Sequence, residues 1–245
     1  MFKLFQKDIG QRVTPSPDWP GRFGELALNA QNPLLRSFYD AGTVAGNTPI
    51  NNVPLVGLDF ETTGLDPNTH SIVSIGLVPF SYNRIMLRES QHWVVRPILP
   101  LHRDSVTFHG ITHSEVRQAP DLGQVIEEVL QALEGRVAVV HHRAIERQFL
   151  DIALKWRLKE GIEFPVIDTM ELESRWHRHQ GQSFKDRLLG KKPPSIRLAE
   201  SRRRYNLPYY APHHALTDAV ASAELLMAQI QHHFSPETPV SELWD

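Results

Sequence analysis

The stretch LVGLDFETTGLDP, Leu55 to Pro67, decides how the rest of the chain reads. Its first seven residues are mostly apolar, and TTGLDP supplies turn formers, so a buried strand over 55–61 leaves its sheet at Glu61. Asp59 and Glu61 stand two apart within it. Successive side chains of a strand alternate between faces, so both carboxylates point to the same side. Either they lie in solvent at the strand's end, or they are buried and must be neutralised, because an unpaired buried charge is expensive. A divalent cation would remove that cost.

Outward from this strand the pattern stays β-like: SIVSIGLVPF at 71–80 and RIMLRESQHWVVRP at 84–97 are separated by the turn-prone SYN, which predicts a three-stranded antiparallel meander. After Pro120 the period lengthens. DLGQVIEEVLQALEG reads as a helix, RVAVVHH as a short buried strand, and AIERQFLDIALKWRLKEG as a helix whose buried stripe is Ile145, Phe149, Ile152 and Trp156. FPVIDT supplies a fifth strand, and helical spacing returns from Thr169, from Ser195, and from Ala215 to Phe234. The expected fold class is α/β, a mixed five-stranded sheet with helices on both faces. Residues 1–52, with a weakly amphipathic stretch from Phe23 to Tyr39 and the turn-rich GTVAGNTPINN, read as a helical extension and linker. The main domain then runs over 53–234, and 235–245 form a short tail.

The chain has 245 residues, 41% of them hydrophobic and 22% charged, the balance of a globular protein. No apolar run approaches the roughly 18 residues needed to span a bilayer, and the opening MFKLFQKDIGQR lacks a secretory pattern, so a cytoplasmic, membrane-free setting is expected. The absence of Cys excludes disulfides, thiolate metal sites and a cysteine nucleophile, leaving oxygen or imidazole for any metal. The net charge of -2 conceals a basic run: from Glu173 to Arg204 there are ten cationic residues against three acidic ones. Such a run is either one wall of a polyanion site or an ordinary solvated face.

Three further residues join the acid pair. In PHHALTDA, Asp218 falls within the last long helix with His213 just ahead of it, and Glu146 occupies the first turn of the helix after VAVVHH, where the helix dipole favours an anion. Alone, Glu146 is an ordinary first-turn acid. Together, DFETTGLDP, VVHHRAIERQFL and HHALTDA, in that order over roughly residues 53–233, resemble the three motifs of the DnaQ-like (DEDDh) 3′–5′ exonuclease family. Glu146 stands where that family has Asp, and His213 matches its histidine five residues before the last aspartate.

The resemblance implies an RNase H-like fold and two ions, Mg²⁺ or Mn²⁺, suited to oxygen ligands. Asp59, Glu61 and Asp218 become direct ligands, with Asp59 bridging, and Glu146 completes the second site directly or through water. His213 becomes the general base, a role suited to an imidazole. The neighbouring His214 sits where a sister family has Tyr, and His141 and His142 are assigned support rather than metal ligation. By the same resemblance Thr62, Thr63, Leu65 and His109 contact the terminal nucleotide. The implied substrate is the 3′ end of single-stranded DNA or RNA, with DNA expected. A small-RNA exonuclease and a weakened nucleic-acid-binding module are the competing readings. A polymerase or repair partner draws little from the sequence, because only about a dozen residues follow the last helix, where replicative proofreading subunits carry a long extension.

Overall fold

The central strand, β1 (Leu55–Thr62), pairs antiparallel with β2 (Ile72–Ser81) on one side and parallel with β5 (Val137–Val140) on the other, and β5 continues in parallel to β6 (Val166–Asp168). These relations come from a computed structural model that describes residues 16–98, 110–180 and 194–245. Leu55, Val56 and Leu58 are buried although they alternate in direction, so both faces of β1 are covered, as expected of a central strand of an α/β sheet.

The stretch expected to be one strand over 84–97 is two, β3 (Arg84–Ile85) and β4 (Gln91–Val94), both on the outer edge of β2. Phe80 pairs with Ile85; a straight continuation would set Arg88 opposite Leu77, yet Gln91 is there, so three residues are looped out. They form the 3-10 turn Leu87–Glu89, closed by the Ser90 hydroxyl donating to the Leu87 carbonyl at 2.7 Å. Among the described residues, the five expected positions across the sheet are therefore filled by six strands.

The stretch from Phe23 to Tyr39 is two helices, α1 (Trp19–Asn29) and α2 (Pro33–Asp40). Pro33 cannot continue a helix but suits the first position of one, and the Asn32 side chain accepts from the Leu34 N–H to cap α2. Trp19, Phe23, Phe38 and Tyr39 belong to the same hydrophobic core as the sheet. So does the tail. Val240, Leu243 and Trp244 are buried, and Asp245 exchanges backbone hydrogen bonds with Val166 on the edge of β6. The chain's two flanks also meet directly: Ile50 N–H donates to Thr238 O, Val240 N–H to Thr48 O, and the Trp19 indole to Asp245 O at 3.0 Å.

Two capped helices follow the meander, α3 (His113–Gln118) and α4 (Leu122–Leu133), each started by a reciprocal cap between side chain and backbone, at Thr112 and Asp121. In α5 (Arg143–Leu158) the buried side chains are Glu146, Phe149, Leu150 and Leu154. The expected stripe is thus rotated, and Trp156 is 64% exposed. A buried acid reads as polar in a sequence, so the pattern of α5 assigns to solvent the face that carries it. The remaining helices among the described residues are α6 (Thr169–Gln180), α7 (Leu198–Arg204) and α8 (Ala215–His233). The last crosses β1 and β2 and sets the position of the acids described next.

Candidate active site

Gly57 and Gly76 let α8 lie directly on the sheet. A Cβ at Gly57 would stand 2.5 Å from the Ala219 carbonyl oxygen, and one at Gly76 would stand 2.2 Å from the Ala215 carbonyl carbon. Gly76 is the residue paired with Asp59, so the start of α8 rests beside the strand that carries the acid pair. This close approach brings Asp218, in the first turn of α8, to Asp59 and Glu61, and carboxylate oxygens of the three lie within 4.8 Å of one another. His213 adopts a left-handed backbone, φ 69°, which turns its N–H onto Asp218 Oδ2 at 2.8 Å. His214 acts differently. Its Nδ1 faces the Thr217 N–H as the cap of α8, and its ring lies 4.6 Å from that of His92. His92 is anchored in turn by Ser74 Oγ at 2.7 Å.

Burial raises the proton affinity of every acid here, and neighbouring carboxylates add to it at Asp59, Glu61 and Glu146. Asp59 is held well above its ordinary 3.8, first by burial and then by the charges of Glu146, Asp218 and Glu61. Glu61 is pushed up to about 7 by burial and by Asp218. Asp218 is raised by burial, although the His213 N–H opposes this. Glu146, 2% exposed, is raised to about 8, mainly by burial, with Asp168 adding to it. Its Oε2 is buried without a hydrogen-bond partner among the described residues. Buried polar atoms nearly always have a partner, so an orphan oxygen on an acid whose charge bears on Asp59 suits a ligand to a cation. The donors are all oxygen, the set that suits a hard divalent ion. The residues present therefore fit a divalent metal site.

Of the residues expected to meet substrate, Leu65 is 81% exposed. Thr62 Oγ1 donates to Gly64 O at 2.7 Å, and Thr63, 4% exposed, accepts from Ser71 N–H and donates its own N–H to Ser71 O. These two threonines thus shape the loop that leaves β1. His109 lies outside the described residues.

Among the described residues, the cations of the basic run are mostly paired. Arg202 is 4% exposed, ion-paired to Glu224 at 2.7 Å and donating to the Ala221 and Pro208 carbonyls. Arg204 pairs with the buried Glu173, and Arg175 with Glu171. Arg203 is 80% exposed beside Glu200. Lys185, Arg187, Lys191 and Lys192 lie outside the described residues. A count of charges does not reveal which are already paired inside.

Sequence reasoning missed Asp168. Its carboxylate accepts from His142, Arg143 and Met170 N–H groups at 3.0–3.1 Å and so ties the starts of α5 and α6 together below Glu146. The signal was present: an Asp at the end of a strand and the start of a helix is a capping residue. His141 likewise proves structural, bonded to Thr169 Oγ1 and Ile196 O.

The chain is 26% identical over 248 residues to the DNA polymerase III PolC-type of Thermotoga petrophila, taking in 91% of this chain and 17% of that protein. It is 25% identical over 182 residues to the DNA polymerase III subunit epsilon of Treponema pallidum, 74% of this chain and 79% of that one. The chain thus spans about a sixth of the length of the PolC-type relative. Among solved structures it resembles exonuclease X in complex with 5′ overhanging duplex DNA, with a TM-score of 0.56 and 22% identity over 77% of this chain and 97% of that one. It also resembles the nuclease domain of 3′hExo, a DEDDh family member bound to rAMP, with a TM-score of 0.58 and 17% identity over 74% of this chain and 94% of that one. These likenesses show the RNase H-like fold. The family model for exonucleases of the RNase T type matches residues 56–226, a span that takes in Asp59, Glu61, Glu146, His213 and Asp218, and the chain belongs to that exonuclease family.

Proposed function

We propose that the chain is a cytoplasmic 3′–5′ exonuclease that needs divalent metal ions, Mg²⁺ or Mn²⁺, and releases mononucleotides from the 3′ end of single-stranded DNA. The observation that carries this reading is the convergence of Asp59, Glu61 and Asp218 within 4.8 Å, with the orphan carboxylate of Glu146 raising Asp59. Asp59, Glu61, Asp218 and Glu146 would hold two ions. The chemistry that such ions supply when bound is neutralisation of phosphoryl charge, acidification of a water and stabilisation of the departing 3′-oxygen. The chain's own residues do the rest. His213, next to Asp218 and exposed, takes the proton of the attacking water at a ring nitrogen. The loop from Thr62 to Leu65 orients the terminal nucleotide, and Leu65 offers it an exposed apolar side chain.

DNA is the favoured substrate because the relatives above carry the names of DNA polymerase components, which also makes a polymerase or repair complex the partner to test. Labelled single-stranded DNA and RNA oligonucleotides of one sequence, incubated with Mg²⁺, Mn²⁺ or EDTA, test the proposal. Stepwise shortening of DNA from the 3′ end, lost in EDTA, is expected. Faster shortening of RNA would transfer the reading to an exoribonuclease, and binding without cleavage under every metal would reduce it to a nucleic-acid-binding module.

A further inference from the structure

Beside Asp218 and His213 a groove of about 480 Å³ runs along α7 and the loop joining it to α8. From this groove we infer a second nucleotide site: it receives the strand on the 5′ side of the scissile phosphate, and Tyr209 stacks on one of its bases. The inference rests on the exonuclease reading, since that reading supplies the scissile phosphate.

Three observations point to this occupant. The groove is continuous with the acid cluster, because Asp218 and His213 form part of its wall. A strand whose last phosphate sits at Asp218 therefore has a path along it. Tyr209 is 80% exposed on the rim, and a large aromatic face beside a nuclease site gives a sequence-independent surface for a base. The backbone under it is fixed. Arg202 donates to Pro208 O at 2.9 Å, its guanidinium lies 4.6 Å over the Tyr210 ring, and the Tyr210 hydroxyl donates to Glu224 at 2.9 Å. A platform held in this way loses little entropy when a base lands on it. Finally, Arg197 and Arg203 are exposed cations in the groove, opposed by Glu200 at Arg203. An exposed ion pair of that kind is weak and exchanges readily for a phosphate.

The test compares KM and kcat on the p-nitrophenyl ester of thymidine 5′-monophosphate, which has no base on the 5′ side of the scissile phosphate, and a single-stranded hexanucleotide. In Tyr209→Ala the hexanucleotide KM should rise about five- to hundredfold, the range for one lost base–aromatic stack, so that the advantage of the longer substrate collapses. Tyr209→Trp should preserve that advantage, and an abasic residue at the stacked position should remove it in the wild type but change nothing in Tyr209→Ala. Arg203→Ala should lower the slope of log affinity against log salt by about 0.7, one phosphate of a single strand. An unaltered ratio of the two KM values in Tyr209→Ala overturns the inference while leaving the exonuclease reading in place. An equal fall of kcat on both substrates overturns it too, because the loop would then act on chemistry or product release. If the wild type cleaves neither substrate under either metal, the exonuclease reading fails first and this inference falls with it.

Discussion

Replacing Glu146 by Gln separates the two roles that its burial gives it. Without metal, its carboxyl must either take up a proton or sit charged at 2% exposure with Oε2 unpartnered among the described residues. The rise from 4.5 to about 8 corresponds, at about 1.4 kcal/mol per pH unit, to about 5 kcal/mol for ionising the group in the folded state. Water entry and relaxation reduce such penalties, and about half, ~2–3 kcal/mol, is a fair expectation. The sign follows from proton binding. The folded pKa lies above the unfolded one, so the folded state binds more protons between 4.5 and about 8, and stability is lost as pH rises through that window. Gln cannot ionise. In EDTA, melting of the variant and the wild type followed by circular dichroism should nearly coincide at about pH 5. They should separate as pH rises, the variant gaining about 5–10 °C by about pH 9 at the usual 2–4 °C per kcal/mol for a chain of this size. Saturating Mn²⁺ should invert the order, because only the wild type offers the full ligand set and is stabilised by mass action. Parallel melting curves across the whole pH range in EDTA would refute the cost assigned to ionising the buried carboxyl. Equal stabilisation of both proteins by Mn²⁺ would remove Glu146 from the metal site.

Asp218→Ala should abolish cleavage, more than a hundredfold by a quenched-flow oligonucleotide assay, while the metal-free protein melts no lower, because one of three crowded acids is gone. His213→Ala should reduce single-turnover cleavage by about 10² to 10⁴-fold. His214→Ala should cost about 1 kcal/mol of stability through its lost helix cap and much less rate, so a larger rate loss at His214 would reverse the assignment. Gly76→Ala should leave the circular dichroism spectrum native yet lower kcat about 10²-fold, since the new methyl displaces the start of α8 and carries Asp218 off its mark. Arg202→Ala should destabilise by about 1.5–3 kcal/mol in urea titrations, because half-buried Glu224 loses its charged donor and keeps only the Tyr210 hydroxyl, with the salt dependence of oligonucleotide binding unmoved.

What could be read in advance follows the physics of each signal. The Asp59 and Glu61 pair was legible because strand alternation is geometric, and the order of elements followed from the change of hydrophobic period after Pro120. Glu146 was legible only through its place in a motif, since no local pattern distinguishes a buried first-turn acid from a solvated one. That same burial rotated the predicted face of α5 and left Trp156 outside. The looped turn at Leu87–Glu89 has ordinary strand-compatible neighbours, and it arises from pairing register along β2, which is a tertiary property. Arg202, Arg203 and Arg204 look alike in sequence but end in a buried pair, an exposed pair and a contact with buried Glu173, because helical rotation points them at different partners.

The stitching of the two flanks has a consequence for how the chain is made. Trp19 and Asp245 are 226 positions apart, and the edge of β6 is closed by the last residues of the sequence. Trp19, Phe23 and Phe38 are synthesised long before Val240, Leu243 and Trp244, and α2 meets α4 before these appear, but the β6 edge stays open until Asp245 has emerged. Closing so long a loop adds little to the equilibrium cost, since that cost grows only with the logarithm of loop length. It does slow the docking of residues 240–245, and meanwhile the nascent chain displays an unpaired strand edge, the feature most prone to wrong pairing. The nuclease core can pair β1, β2, β5 and β6 before that moment, so assembly of the site and protection of the edge are separate events in the life of each molecule.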